Sequence, residues 1–181
     1  MRRRQFCQSA AGMAAATSLL PYSRSLAAAM LEIDRDVEAV SGTGKELMLG
    51  RSEVQELASG LRGDLLLPGN PAYEVARLVR NASIDKYPAL IVQPSGATDV
   101  SLAVDFARDH HLVTAVKCGG HSSAGKSTCN GGMMIDLSRF RHVRVDPANK
   151  IAHVSGGSLL GAMDHETMAH GLVTVAGTVS H

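Results

Sequence analysis

Residues 116–132, VKCGGHSSAGKSTCNGG, contain two overlapping patterns that suggest phosphate binding. Gly120–Ser127 satisfies GxxxxGK[ST], the P-loop pattern in which a lysine, here Lys126, reaches the terminal phosphates of a nucleoside triphosphate. The overlapping Gly119–His121 offers another chemistry, because a glycine-rich turn can present consecutive backbone N–H groups to a pyrophosphate. A neutral imidazole beside such a turn is also a competent nucleophile. The stretch therefore predicts a site for a nucleotide or a dinucleotide.

The residues after this stretch separate the two chemistries. A P-loop runs directly into a helix, because the helix N-terminus supplies N–H groups that hold the phosphates. Here Ser127 precedes Thr128–Gly132, where two glycines each cost about 1 kcal/mol in a helix and the other residues form helices weakly. Met133–Leu137 then predicts a strand, and its Asp136 follows Ser127 too closely to be a magnesium ligand beyond an intervening helix. The sequence favours a backbone anion nest, with the P-loop kept as an alternative.

The elements that position this loop follow from the spacing of apolar residues. Strands and helices alternate up to the loop, an order that both kinds of nucleotide site require. Thr98 and Ser158 are expected to cap helices, and Gly171 to end one in a left-handed conformation. The predicted helices are Glu53–Ser59, Ala72–Asn81, Thr98–His111 and Ser158–His170. The predicted strands are Ala89–Val92, Leu112–Val116 and Met133–Leu137, followed by a hairpin of His142–Asp146 with Ile151–Gly157. The residues expected to face inward include Val75, Leu78, Val104, Met163 and Met168.

Composition limits the class of protein. With 181 residues and 45% hydrophobic content, the chain is long enough for one core and at most two small domains. Its 18 basic and 17 acidic residues give a net charge of +1, and no basic patch interleaved with aromatic residues indicates nucleic acid. We therefore expect a globular protein without a nucleic-acid partner.

The cysteines and histidines do not form a metal site. Cys118 and Cys129 have no CxxC partner, so they are either two thiols or one loop disulfide. His165 and His170 are off one helical face, and the sequence around them is not HExxH. The serines lack a recognisable Asp–His partner for hydrolysis. We expect no bound metal.

The N-terminus has the features of an export signal. Arg2–Phe6 contains a twin-arginine-like pattern, Ala10–Leu20 is a short apolar run, and Ala27–Ala29 offers a cleavage site. The apolar run is too short to span a bilayer. Residues 1–29 are therefore predicted to be a signal peptide for periplasmic or secreted localisation by the bacterial twin-arginine route, with no stable membrane insertion after its removal. An ordinary secretory signal is the alternative.

Two long stretches resemble one enzyme family. They are KYPALIVQPSGATDVSLAVDFARDHHLVTAVKCGGHSSAGKS and GGMMIDLSRFRHVRVDPANKIAHVSGGSLLGAMDHETMAHGLVTVAGTVSH, within a match over Asp64–His181. This region resembles the flavin-binding domain of FAD-linked oxidases of the berberine bridge enzyme type, a PCMH-type FAD-binding domain. The resemblance implies that Lys117–Ser122 form the pyrophosphate loop and that His121 is joined covalently to the C8 methyl group of the flavin.

The same resemblance implies the remaining site residues. The turn Ala176–Ser180 would run beside the flavin and the pyrophosphate. Many relatives form a second flavin bond through a cysteine where this chain has Val179, so a single link through His121 is implied. Lys117 and Cys118 depart from the usual residues but keep their backbone N–H donors. The implied cofactor-binding residues are Lys117, Cys118, Gly119, Gly120, His121, Ser122, Gly125, Gly177, Thr178 and Val179, and no catalytic residue is implied.

The fold and function implied are those of a flavin enzyme. We expect an α+β fold with two small α/β subdomains of the PCMH type, preceded by a lead-in segment at 30–85 and formed by 86–181, incomplete at the C-terminus. The implied activity is hydride removal from a small alcohol or amine by FAD, followed by reoxidation with dioxygen to hydrogen peroxide. A non-catalytic flavin-binding fragment is the alternative. For the isolated chain we expect weak or absent FAD retention, no turnover, and exposed apolar residues at Met133, Ile135 and Val145.

Overall fold

A computed structural model describes residues 33–177 and residue 180. The predicted signal peptide, residues 1–29, lies outside the described residues, and so do Thr178 and Val179 of the implied cofactor site. The described residues all lie in one compact unit.

The described chain alternates short strands with helices. The strands are β1 (Val37–Val40), β2 (Glu46–Leu49), β3 (Asp64–Leu66), β4 (Leu90–Gln93), β5 (Thr114–Lys117), β6 (Met133–Asp136), β7 (Val143–Asp146) and β8 (Ile151–Val154), and the helices are α1 (Arg51–Gly60), α2 (Tyr73–Arg77), α3 (Ala97–Asp109) and α4 (Leu160–Met168). This mixture confirms the predicted α+β class. Among the described helices, none combines the length and the apolar character needed to cross a bilayer.

A four-stranded sheet lies at the centre, in the order β3-β4-β6-β5. Strands β4, β6 and β5 are parallel, and β3 pairs with β4 in the antiparallel direction. The predicted strands at β4, β5 and β6 are confirmed, whereas β3 and the antiparallel β1–β2 hairpin were not predicted. The carboxyl ends of the three parallel strands therefore meet at one edge, which is where ligands bind in open α/β sheets.

Each face of the sheet is covered by apolar residues. Alternate residues of β4 and β6 point to opposite faces, as expected for extended chains. One cluster joins Leu90, Val92, Met133 and Ile135 to α1 and α3 through Val54, Leu57, Ala103 and Ala107, and the other joins Ile91 and Met134 to Leu66, Tyr73 and Ala76. The expectation that Met133 and Ile135 would be exposed is wrong, because both side chains are buried within the sheet.

Helix α3 confirms the predicted helix but not its cap. Gly96 is the N-cap residue, and Thr98 is exposed. The carboxylate of Asp99 is buried and accepts hydrogen bonds from the backbone N–H groups of Arg62, Gly63 and Ser95. Asp99 therefore ties the start of α3 to the turn before β3.

Helix α2 is shorter than predicted, and its buried face differs. It buries Tyr73, Ala76 and Arg77, whereas Val75 is 76% exposed and Leu78 52% exposed. Tyr73 donates a hydrogen bond of 2.7 Å to the Pro88 carbonyl, and burial raises its pKa to about 12. The chain leaves the helix after Arg77, where Leu78 is extended, and continues beside the loop described below.

The C-terminal described part contains the predicted hairpin and helix. Strands β7 and β8 pair in the antiparallel direction, and Gly171 has the expected positive φ of 66°. Helix α4 begins after Leu159, because Ser158 instead donates its hydroxyl to the His142 carbonyl. Met163 is buried as predicted, whereas Met168 is 70% exposed.

Candidate functional site

A row of polar residues crosses the carboxyl edge of the sheet. The register places Asp64 beside Gln93, and Asp136 beside Lys117. All four side chains are buried, and Gln93 donates a 2.9 Å hydrogen bond to Asp136. A long loop, residues 118–132, leaves the sheet directly above this row.

The 118–132 loop carries unpaired backbone donors. Within the described chain, the N–H groups of Gly119, Gly120, His121 and Ser122 have no protein acceptor. Gly120 has a φ of 68°, which L side chains rarely adopt. Successive free N–H groups around a left-handed glycine have the chemistry of an anion nest. Four of the predicted residues, Gly119–Ser122, therefore carry free donors around a left-handed glycine.

The loop glycines lie where side chains do not fit. A Cβ atom at Gly120 would lie 3.3 Å from the Cα atom of Val79, and one at Gly125 would lie 2.6 Å from Cγ2 of Ile84. A Cβ atom at Gly119 would lie 2.9 Å from Cε1 of His121. Glycine is therefore required at these positions, because each one lies against another residue of the same chain and leaves no room for a side chain.

A second segment, residues 78–88, supports the loop along its length. The Arg80 N–H donates to the Gly120 carbonyl at 3.0 Å, and the Asn81 side chain donates to the Ser123 carbonyl at 2.9 Å. The Lys86 ammonium donates to the Gly125 carbonyl at 3.0 Å. Sequence analysis did not identify these residues, because no local pattern links them to a loop about forty residues away.

The 78–88 segment is itself held by Arg77. The buried guanidinium donates to Glu74 and Asp85 and lies 4.0 Å over the ring of Tyr87. The hydrogen bond from Arg77 lowers the pKa of Asp85 below its ordinary value. A planar guanidinium can bind two carboxylates and an aromatic face together, so this residue connects α2 to the segment under the loop.

The side chain of Lys117 points into the protein. Its buried side chain donates to the Ala76 carbonyl, and the ammonium lies 3.5 Å from the Asp136 carboxylate. The ammonium is therefore a counter-ion inside the protein. This leaves the backbone as the part of Lys117 available to the loop.

The P-loop alternative is not supported. No helix occurs within the described residues 118–132, and β6 begins directly after them. Lys126 is exposed and its side chain has no partner in the described part of the chain. A P-loop lysine needs a helix N-terminus behind it, and this one has none.

The two cysteines of the loop region are free thiols. Cys118 is half-buried and Cys129 is buried, and they do not form the disulfide that the sequence left open. Burial raises the pKa of Cys129, which keeps this thiol protonated and unreactive. The described residues contain no group of potential ligands that could hold a metal ion.

The predicted turn at the C-terminus is partly described. A Cβ atom at Gly177 would lie 3.1 Å from Cδ1 of Leu160, at the start of α4. A Cβ atom at Gly119 would lie 2.7 Å from Cδ2 of Leu159, the residue before Leu160. The start of α4 is therefore the element between Gly177 and the loop, while Thr178 and Val179 lie outside the described residues.

Comparison with known proteins identifies relatives of the whole region. Residues 88–180 match the family model described as FAD binding domain. An FAD-linked oxidoreductase of Dictyostelium discoideum is 36% identical over 129 residues, which cover 71% of this chain and 28% of the relative.

Solved structures give the same result. The crystal structure of 6-hydroxy-D-nicotine oxidase from Arthrobacter nicotinovorans matches with a TM-score of 0.59 and 27% identity, over 61% of this chain and 24% of that one. A BBE-like (berberine bridge enzyme-like) protein of Physcomitrella patens matches with a TM-score of 0.54 and 29% identity, over 60% of this chain and 24% of that one. The chain spans about a quarter of the length of these proteins.

Proposed function

The chain belongs to the FAD binding domain family, and we propose that its 118–132 loop binds the pyrophosphate of FAD through backbone N–H groups. The observation that carries this proposal is the run of unpaired donors from Gly119 to Ser122 at the carboxyl edge of the sheet. Glycines 119 and 120 let a ligand approach the backbone closely. The residues present therefore fit the pyrophosphate of a dinucleotide cofactor.

His121 would form the covalent link to the flavin. Its side chain is exposed, and its ring lies beside Gly119, within the same turn as the free donors. An imidazole nitrogen there can form a bond to the C8 methyl carbon in place of one C–H bond. The bond would also replace the imidazole N–H, and the two electrons and two protons released would be accepted by FAD, which dioxygen would reoxidise. Val179 replaces the cysteine of doubly linked relatives, so one bond is proposed.

The reaction proposed for the site is an oxidation. Bound FAD would supply the acceptor for a hydride from a C–H beside a hydroxyl or amine, with dioxygen as the final oxidant and hydrogen peroxide as the product. The protein's own residues would bind and orient the cofactor. The proposed substrate class is a small alcohol or amine. Export through the twin-arginine route is proposed for residues 1–29.

The covalent link is tested by denaturation. The chain is fused to the downstream region of a relative, and the purified fusion protein is incubated with FAD and dioxygen, precipitated with acid and inspected for flavin fluorescence on the polypeptide. We expect fluorescence to remain with the protein and to disappear from the polypeptide in His121→Ala. Acid-extractable FAD in the unsubstituted protein would refute the link while leaving flavin binding intact.

Flavin binding without catalysis is the second candidate. It is supported by the site itself, because the residues identified in the described loop would bind the cofactor through backbone N–H groups and include no assigned catalytic base. A peroxide assay with alcohols and amines separates the two candidates. Peroxide that depends on added substrate and on FAD supports the oxidase, whereas FAD binding with no peroxide supports the binding module.

A further inference from the structure

We propose that Asn81 is a positioning residue of the FAD pyrophosphate loop. Its side-chain amide sets the direction of a loop peptide and so helps to turn backbone N–H groups toward the cofactor. This inference rests on the proposed function. It places a residue of the predicted lead-in segment, outside the 118–132 loop, among those that determine cofactor affinity.

The side chain of Asn81 has a single orientation. Its Oδ1 accepts hydrogen bonds from the backbone N–H of Ser83 at 3.1 Å and from the Ser83 hydroxyl at 2.8 Å. A backbone N–H can only donate, so the atom facing it must be the amide oxygen. The Nδ2 group is then left to donate to the Ser123 carbonyl at 2.9 Å. Ser83 therefore orients Asn81, and Asn81 holds the loop.

Carbonyl anchoring fixes where the next N–H points. In a trans peptide the C=O of one residue and the N–H of the next point in opposite directions, and the described chain contains no cis peptide bond. Asn81 draws the Ser123 carbonyl toward the 78–88 segment, so the N–H of Ala124 points away from it. The Arg80 N–H does the same to the Gly120 carbonyl, at 3.0 Å, and so turns the N–H of His121 outward.

The glycines show that the loop and the 78–88 segment are fitted to each other. Gly120 packs on the backbone of Val79, and Gly125 packs on the side chain of Ile84, both at positive φ. These two contacts lie on either side of the Asn81–Ser123 hydrogen bond. A change at Asn81 therefore acts on a peptide between two fixed points, and its effect is local.

The effect on stability is expected to be small. The hydrogen bond between Asn81 and Ser123 is exposed, and such bonds contribute little net free energy because water replaces them. The effect on the ligand is larger, because the N–H of Ala124 also has no acceptor in the described chain, and its misdirection would remove a donor that extends the nest beyond Ser122. Affinity, rather than folding, is thus the quantity that Asn81 controls.

The test is an NMR titration of the 181-residue chain with FAD, ADP and inorganic pyrophosphate. Asn81→Leu removes the donor without adding charge, and Ser83→Ala removes the hydroxyl that orients it. The matched control is Asn149→Leu, which removes an exposed asparagine bonded to Asp146 in the β7–β8 turn. The readouts are the amide shifts of Gly119–Ala124 and the midpoint of urea denaturation.

We expect Asn81→Leu to weaken binding of all three ligands by about fivefold to tenfold, the loss of roughly one hydrogen bond. Ser83→Ala should weaken it less, Asn149→Leu should not change it, and the urea midpoints should agree. Wild-type affinity in Asn81→Leu would overturn the inference, and so would wild-type affinity in Asn81→Ala, which also removes the Nδ2 donor, if Asn81→Leu does not fold. Loop amides that respond to none of the ligands in the unsubstituted protein would reject the flavin site itself.

Discussion

A P-loop and a backbone anion nest depend on different lysines of this region. A P-loop would need Lys126, whereas the described loop is held by Lys86. Lys126 belongs to the GxxxxGK[ST] pattern but is exposed, whereas Lys86 is half-buried and donates to the carbonyls of Gly125 and Thr128 at 3.0 and 3.3 Å. Replacing each by methionine removes the ammonium and keeps most of the alkyl chain. The pair therefore tests which lysine the loop depends on.

The magnitudes follow from these contacts. Hydrogen bonds to a charged group contribute roughly 1.5–3 kcal/mol each when buried, and partial exposure of Lys86 reduces this. We expect Lys86→Met to destabilise the loop by about 2 kcal/mol. For Lys126→Met, a surface substitution without a side-chain partner, we expect less than about 0.5 kcal/mol.

Hydrogen exchange of the loop amides measures this difference directly. If the loop opens locally, a loss of about 2 kcal/mol in the free energy of opening makes amide exchange roughly thirtyfold faster. We expect this acceleration for the amides of residues 125–130 in Lys86→Met. Lys126→Met serves as the matched control and should exchange like the unsubstituted protein. ADP affinity, followed in the same samples, should fall only in Lys86→Met.

The reverse pattern would refute the reasoning. A P-loop loses nucleotide binding when its lysine is removed, because that ammonium contacts the phosphates. Loss of ADP binding in Lys126→Met, with unchanged exchange in Lys86→Met, would show that the loop binds phosphates by side-chain charge.

Three further predictions concern the rest of the chain. Gly125→Val should destabilise the protein by about 2–3 kcal/mol in urea denaturation, because φ is 65° and Ile84 occupies the space of the new Cβ. Burial alone would raise the pKa of Asp99, but hydrogen bonds from three backbone N–H groups lower this pKa overall. The charged carboxylate therefore stabilises the fold fully above the unfolded pKa of about 3.9, and this stabilisation is lost as pH falls through the lower folded pKa. Asp99→Asn should therefore cost about 2 kcal/mol at pH 7, with a difference from the unsubstituted protein that shrinks in acid. Replacement of Arg3–Arg4 by two lysines should block export, measured by precursor processing, and unchanged processing would reject the twin-arginine assignment.

The sequence alone determined the features that depend on neighbouring residues. The apolar periodicity located β4, α3, β5, β6, the β7–β8 hairpin and α4, because burial of one face imposes a regular spacing. The weak helix formers after Ser127 argued against a P-loop helix, and Gly119–His121 pointed to the turn that bears the free donors. These features are local, so a stretch of about fifteen residues contains the information.

Tertiary structure decided which segment supports the loop and which side chains it uses. Asn81 and Lys86 bond to carbonyls 42 and 39 residues away, a separation at which the sequence shows no pattern. The same holds for the side chain of Lys117, whose position beside the buried Asp136 follows from the strand register. Local spacing specifies which face of an element is apolar. The partner of that face, and the direction of each loop peptide, depend on how strands pair and helices pack across the sheet.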